Sequence, residues 1–159
     1  DWKMHWAWCQ DPRLPRSLWR RFSSGKSWTI SLAMRPSCIQ LTSYIAGRYS
    51  SAVEIGFGGI IDVVAALKNR GVRVSASDIR RYCYEGLLTF VDDITAPDLS
   101  LYEGAQILYA IRPPLELVPY IRRAARAVSA HAIIKPLSAE YPGGRLEGHG
   151  NGVFFVQDI

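Results

Sequence analysis

Glu54, Gly56, Gly58 and Asp78 are residues whose types and spacing could do chemistry. In Val53-Glu54-Ile55-Gly56-Phe57-Gly58-Gly59, a short apolar run meets an acid and then a glycine-rich turn. Glycines let a backbone turn tightly and approach a ligand, and a helix starting just behind them offers unpaired N–H groups. Asp78 follows Gly56 by 22 residues. At that spacing an acid ending the next strand accepts hydrogen bonds from a ribose diol; its other role is to cap the segment after that strand. Glu54 is placed to hold the glycine turn or to meet a ligand amine, and as a buried charge it needs donors nearby. Asp92 and Asp93 end a later apolar run, where either could accept from an adenine amino group or cap a turn.

Two further candidates are cationic. Arg112 stands between the apolar run 106–111 and Pro113-Pro114, and Lys135 directly follows the run 131–134. An arginine stays protonated, so Arg112 cannot serve as a general base, but its fork can bind a carboxylate or phosphate with two parallel hydrogen bonds. Two cations at one rim point to an anionic ligand. The plainer alternative is that Arg112 pairs with Asp93 or Glu116. His149, in Gly148-His149-Gly150-Asn151-Gly152, is a candidate mobile acid/base. No Ser/His/Asp or Cys/His arrangement stands out, and Cys83 beside Arg80 and Arg81 is expected to be a packed thiol. The three cysteines lack metal-type spacing, so no metal site is expected, and their odd number fits a reducing compartment. Ser23-Ser24-Gly25-Lys26-Ser27 looks like the tail of a phosphate-binding loop, but Arg20 stands where that pattern needs a glycine.

Positioning these residues at one edge takes alternating strands and helices. Residues 36–48 predict a helix, with Ser37 as N-cap and Ile39, Tyr44, Ile45 and Arg48 on one side. Strands are predicted at 52–55, 72–77, 87–91, 106–111 and 131–134, with a last, edge strand at 153–156. A helix is predicted at 60–70, and another after Pro113-Pro114 to about residue 127, starting at Pro119 or kinked before it. Residues 140–152 are glycine-rich and expected to be mobile. The alternation predicts an α/β, three-layer, Rossmann-like, mostly parallel sheet of order 3-2-1-4-5. Ligands of such sheets bind at the carboxyl ends of the strands, where the order reverses between strands 1 and 4.

The chain has 159 residues, enough for one domain with a substantial core, and a formal charge of +5. Residues 1–35 hold seven of the basic residues and two acids, while the remaining 12 basic and 12 acidic residues cancel. The basic balance therefore belongs to the first fifth of the chain, which also carries all five tryptophans and no persistent period. We expect residues 1–35 to be an extension without a fold of its own, residues 36–159 to be the Rossmann-like domain, and the working protein to begin near Met34. The competing view of the extension is a basic, aromatic arm for nucleic acid. No apolar run approaches the ~20 residues that cross a bilayer, and a soluble cytoplasmic protein is expected.

Two cofactors compete for the glycine turn. A dinucleotide fingerprint wants a third glycine at the sixth position, where Ile61 stands. A bulky residue there disfavours the close helix–strand packing of NAD domains. An acid two residues before Gly-x-Gly, with a second acid about twenty further on, suits S-adenosylmethionine better.

Val53-Glu54-Ile55-Gly56-Phe57-Gly58, Asp78-Ile79-Arg80, Val91-Asp92-Asp93-Ile94 with Pro97, Leu101-Tyr102-Glu103-Gly104-Ala105, Ile111-Arg112-Pro113-Pro114 and Ile134-Lys135-Pro136-Leu137 recur in order. With these, residues 36–140 resemble a small, mostly archaeal family of uncharacterised proteins (uncharacterised protein family 0146), itself similar to class I methyltransferases. The resemblance implies the fold and, by analogy, the cofactor; it carries no reaction. Amino-methylating enzymes of that class have Asn/Asp-Pro-Pro-aromatic after strand 4, and here Arg112 replaces the polar acceptor. The expectation is an S-adenosylmethionine-dependent methyltransferase-like protein whose adenosyl pocket is Glu54, Gly56, Gly58, Asp78 and Asp93, with Arg112 and Lys135 facing an anionic substrate. The alternative is a non-catalytic nucleotide- or partner-binding protein of the same fold.

Overall fold

The computed structural model describes residues 34–84, 86–137, 139–148 and 152–159. Residues 1–33, with the tryptophans and the 23–27 stretch, lie outside the described residues, and so does His149. The described chain forms one seven-stranded sheet of order β3-β2-β1-β4-β5-β7-β6. The strands are β1 (Ser51–Ile55), β2 (Arg73–Asp78), β3 (Leu88–Val91), β4 (Ile107–Ile111), β5 (His131–Lys135), β6 (Arg145–Glu147) and β7 (Phe154–Gln157). The first five pair in parallel, in the expected 3-2-1-4-5 order. β7 runs antiparallel to β5 and to β6.

Among the described residues three α-helices cover the sheet: α1 (Pro36–Ala46), α2 (Asp62–Asn69) and α3 (Val118–Ala127). Parallel strands buried on both faces read as continuous apolar runs, and β1, β4 and β5 do so except at Ser51 and Glu54 in β1 and at the terminal His131 and Lys135 of β5. Alternation splits their side chains between two cores. Ala52, Ile107, Tyr109 and Ile133 meet Leu41 and Ile45 of α1 and Val63, Val64 and Leu67 of α2 on one face. Val53, Ile55, Leu108, Ala110, Ala132 and Ile134 meet Val118, Ile121, Ala124 and Ala125 of α3 on the other. This is a three-layer α/β sandwich with helices on both faces.

Local chemistry explains the ends of these elements. Pro36 occupies the first turn of α1, where a missing N–H costs nothing, and Arg35 rather than Ser37 is the capping residue. Pro119 likewise sits in the first turn of α3, so the helix starts at Val118, after a short 3-10 turn at Leu115–Leu117.

The structure corrects three further expectations. The buried side of α1 is Cys38, Leu41, Thr42 and Ile45, whereas Ile39 is exposed, because the stripe that packs into the core with α2 lies one residue further round. β7 is an interior strand, buried along its length between β5 and β6. The outer edge is β6, within the stretch where no strand was expected.

Candidate functional site

The parallel sheet brings the expected residues to one edge. In strand order across it stand Asp92 and Asp93 after β3, Asp78 at the end of β2, the glycine turn after β1, Arg112 after β4 and Lys135 at the end of β5.

The glycine turn is tied to β2. The N–H groups of Gly56 and Phe57 both donate to the Ser77 carbonyl, at 2.9 and 3.1 Å. Gly58 N–H donates to Asp78 Oδ2 at 2.9 Å, and Arg80 N–H to Asp78 Oδ1 at the same distance. Gly56, Gly58 and Gly59 all have positive φ, which L side chains rarely adopt. Below the turn, the Phe57 ring meets Tyr82 and Tyr84 edge-on, and the Tyr84 hydroxyl donates to the Gly59 carbonyl at 2.8 Å. Above it the space is open: an added Cβ at Gly56 would meet nothing within 4 Å.

Each of the two acids after β3 is engaged in a turn. Asp92 accepts from the Tyr102 hydroxyl at 2.6 Å and from Asp98 N–H at 3.1 Å, one bond to each oxygen. Burial and the neighbouring Asp92 push the Tyr102 phenol upward. The exposed Asp93 accepts from Thr95 N–H and Oγ1 through Oδ1 alone, and these bonds hold its carboxyl below the usual range. Its Oδ2 has no hydrogen bond among the described residues.

Glu54 lies on the α1/α2 side of β1, where it is 3% exposed. The donor its burial calls for is the Tyr109 hydroxyl, at 2.8 Å from Oε2. Desolvation outweighs that bond and raises the Glu54 carboxyl to about 8, so it is mostly protonated at neutral pH. Tyr109 is raised as well, by burial and by Glu54. Nearby, Arg35 grips Asp62 at the start of α2 with two side-chain bonds of 2.9 and 3.1 Å. That pair ties the residue before α1 to the helix behind the glycine turn, and with the contact from Thr42 Oγ1 to Met34 Sδ it joins residues 34 and 35 to the domain.

The cations occupy the other half of the edge. Arg112 is exposed, and its backbone is in the left-handed region with φ 54. Its N–H donates to the Lys135 carbonyl at 2.6 Å. No ion pair joins it to Asp93 or Glu116 among the described residues. Lys135 is 5% exposed, and desolvation lowers its ammonium.

Sequence reasoning missed Arg35, Tyr82, Tyr84 and Tyr109. Arg35 reads as the last residue of a basic stretch. Tyr109 carries no local signal, because its partner is 55 residues away and only the β1–β4 register sets the two opposite. Among the described residues no cluster could hold a metal, and no helix is long and apolar enough to cross a membrane.

Residues 38–158 match the model of the Uncharacterised protein family (UPF0146). A UPF0146 protein of Archaeoglobus fulgidus is 38% identical over 120 residues, covering 74% of this chain and 92% of its own length. Relatives from Pyrococcus abyssi and Methanocaldococcus jannaschii are each 35% identical, covering 64% and 66% of this chain and 83% and 81% of themselves. Among solved structures, Burkholderia thailandensis 1,6-didemethyltoxoflavin-N1-methyltransferase, with bound 1,6-didemethyltoxoflavin and S-adenosylhomocysteine, is similar at 20% identity and a TM-score of 0.43. The match covers 82% of this chain and 63% of that enzyme.

Proposed function

The chain belongs to the UPF0146 family, and from its strand order and rim we propose that it is an S-adenosylmethionine-binding, methyltransferase-like protein. One observation carries the reading. The Asp78 carboxylate, at the end of the strand next to β1, is bonded to the glycine turn through Gly58 N–H at 2.9 Å. Each carboxylate oxygen holds one backbone N–H and keeps a lone pair, so a ribose diol can donate to the acid without breaking the turn. The open space over Gly56 leaves room for the ligand to approach the backbone. Asp93, with Oδ2 free, stands on the adenine side of Asp78.

In this reading Gly56, Gly58 and Asp78 hold the adenosyl end and Asp93 its base. Glu54 acts from below: largely protonated and bonded to Tyr109, it supports the end of β1 without adding a negative charge to the pocket. The bound cofactor would supply an electrophilic methyl group, and the protein's part would be to align it with a nucleophile.

Arg112 favours a second reading. It stands where amino-methylating enzymes carry an amide or carboxylate, and it cannot take a proton. A protein that binds the adenosyl ligand without turnover fits that substitution.

Calorimetric titration with S-adenosylmethionine, S-adenosylhomocysteine and NAD separates these readings. We expect both sulfur ligands to bind and NAD not to, with Asp78→Ala weakening binding at least tenfold. Binding that survives Asp78→Ala, or a preference for NAD, overturns the proposed site. Binding without methyl loss in the presence of candidate acceptors favours the second reading.

A further inference from the structure

We propose that Arg112 and Lys135 form a subsite for the oxyanion, carboxylate or phosphate, of a second molecule bound beside the adenosyl cradle. The identity of that cradle rests on the preceding reading; the anion site itself stands on three observations at the ends of β4 and β5.

The first is a lysine with a buried stem and an ammonium without a counter-charge. Lys135 ends an interior strand at 5% exposure, and its ammonium makes no hydrogen bond or ion pair among the described residues. The groups that act on it are the Cys38 thiol of α1 and two guanidinium groups, Arg112 and Arg35. Asp62 is engaged with Arg35, and Glu54 is held mostly protonated against Tyr109. A partly desolvated ammonium without a partner is costly, and a ligand anion would relieve that cost.

The second is the backbone of Arg112. A non-glycine residue at φ 54 is strained and persists only where its surroundings over-determine it. Two constraints do so here. Its N–H is fixed on the Lys135 carbonyl at 2.6 Å, and Pro113 disfavours the right-handed helical region for the residue before it. Such strain gathers at ligand sites. Here it leaves the guanidinium exposed at the rim, with no ion pair among the described residues.

The third is complementarity. The backbone bond ties the two residues together, Arg112 is near enough to help lower the Lys135 ammonium, and its fork matches two oxygens of one anion.

Placement at the far end of the edge favours a second molecule as the source of the anion. β2, β1, β4 and β5 are consecutive in the sheet. At about 4.8 Å between strands, Asp78 and Lys135 sit roughly 14 Å apart across it. The two cations thus stand at the end of the edge away from the ribose acid, and the anion assigned to them is that of the second molecule, a small carboxylic acid or phosphate ester. An adenosyl amino acid has a similar reach, and the Lys135→Met comparison below separates the two.

The test titrates the full chain with inorganic phosphate and, separately, acetate at constant ionic strength, followed by calorimetry and thermal shift. We expect saturable binding of at least one anion. Arg112→Gln and Lys135→Met should each weaken it at least tenfold, and Arg123→Gln, on the exposed side of α3, should leave it unchanged. Lys135→Met should fold at least as well as the parent, since it keeps the buried apolar stem and removes a partly desolvated charge. Absence of saturable binding of either anion overturns the proposal, as does binding retained in Lys135→Met. S-adenosylhomocysteine affinity should be unaffected by Lys135→Met; its loss would assign the cation to the cofactor's carboxylate and overturn the second-molecule assignment. Phosphate or acetate binding should survive Asp78→Ala, so failure of the adenosyl reading and failure of this one are distinguishable.

Discussion

The Tyr109 hydroxyl donates to Glu54 Oε2 at 2.8 Å, across the β1–β4 pairing that sets the two residues opposite each other. It is a buried acid–phenol pair directly beneath the proposed ligand edge. The bond satisfies one oxygen but does not offset the desolvation of a full charge, so Glu54 titrates at about 8 rather than at the 4.5 of a free carboxyl. The folded state therefore prefers the protonated acid. Its stabilising contribution is complete below the unfolded value and is lost as pH climbs through about 8. We expect urea-unfolding stability to fall between pH 5 and pH 8, with Glu54→Gln removing most of that slope. Above pH 8 the variant should exceed the parent by on the order of 4 kcal/mol. Parallel pH profiles for the two proteins would contradict the buried-acid account.

Gly56 and Gly59 both have positive φ, but they should respond differently to a methyl group. At Gly56 an added Cβ meets nothing within 4 Å, so Gly56→Ala should cost only the backbone term, about 1 kcal/mol. Because that Cβ enters the proposed ligand space, ligand affinity should fall by more than stability does. At Gly59 the Cβ would lie 2.7 Å from the Tyr82 ring, itself packed against Phe57. Gly59→Ala should add a packing term of roughly 1–3 kcal/mol to the same backbone cost. Chemical denaturation of the two variants, with Tyr82→Ala added to Gly59→Ala to release the clash, measures the difference. Equal costs for the two glycines would mean that the tyrosines do not brace the turn.

Arg112 offers a test of strain against function. Its φ of 54 suits glycine, so Arg112→Gly should stabilise the domain relative to Arg112→Ala by about 1 kcal/mol, while both lose the guanidinium. Denaturant midpoints for the pair read the backbone term directly. If the alanine variant is the more stable, the strain is absent and one support of the anion site goes with it.

The glycine turn, the acid 22 residues after it and the five-strand parallel order were legible because each rests on local or near-local physics. Positive-φ turns want glycine, interior parallel strands want unbroken apolar runs, and right-handed crossovers leave few arrangements. Even the misfit residues were visible as misfits: Glu54 and Lys135 are the charges interrupting β1 and β5.

What those charges face was decided by tertiary structure. Whether Arg112 finds an acid depends on the path of two loops, and in the fold neither Asp93 nor Glu116 pairs with it. Glu54 required a donor, but only strand register could make that donor Tyr109. Asp92 and Asp93 look equivalent along the chain, yet the packing of Tyr102 occupies the first and leaves an oxygen of the second free. The β6–β7 edge follows the same logic: three residues inside a glycine-rich stretch become a strand because β7 offers them a partner. Sequence alone set the backbone conformations and the alternation of buried faces, since these depend on neighbours a few residues away. The pairing of charges was left to the fold, since it depends on residues brought together from far apart along the chain.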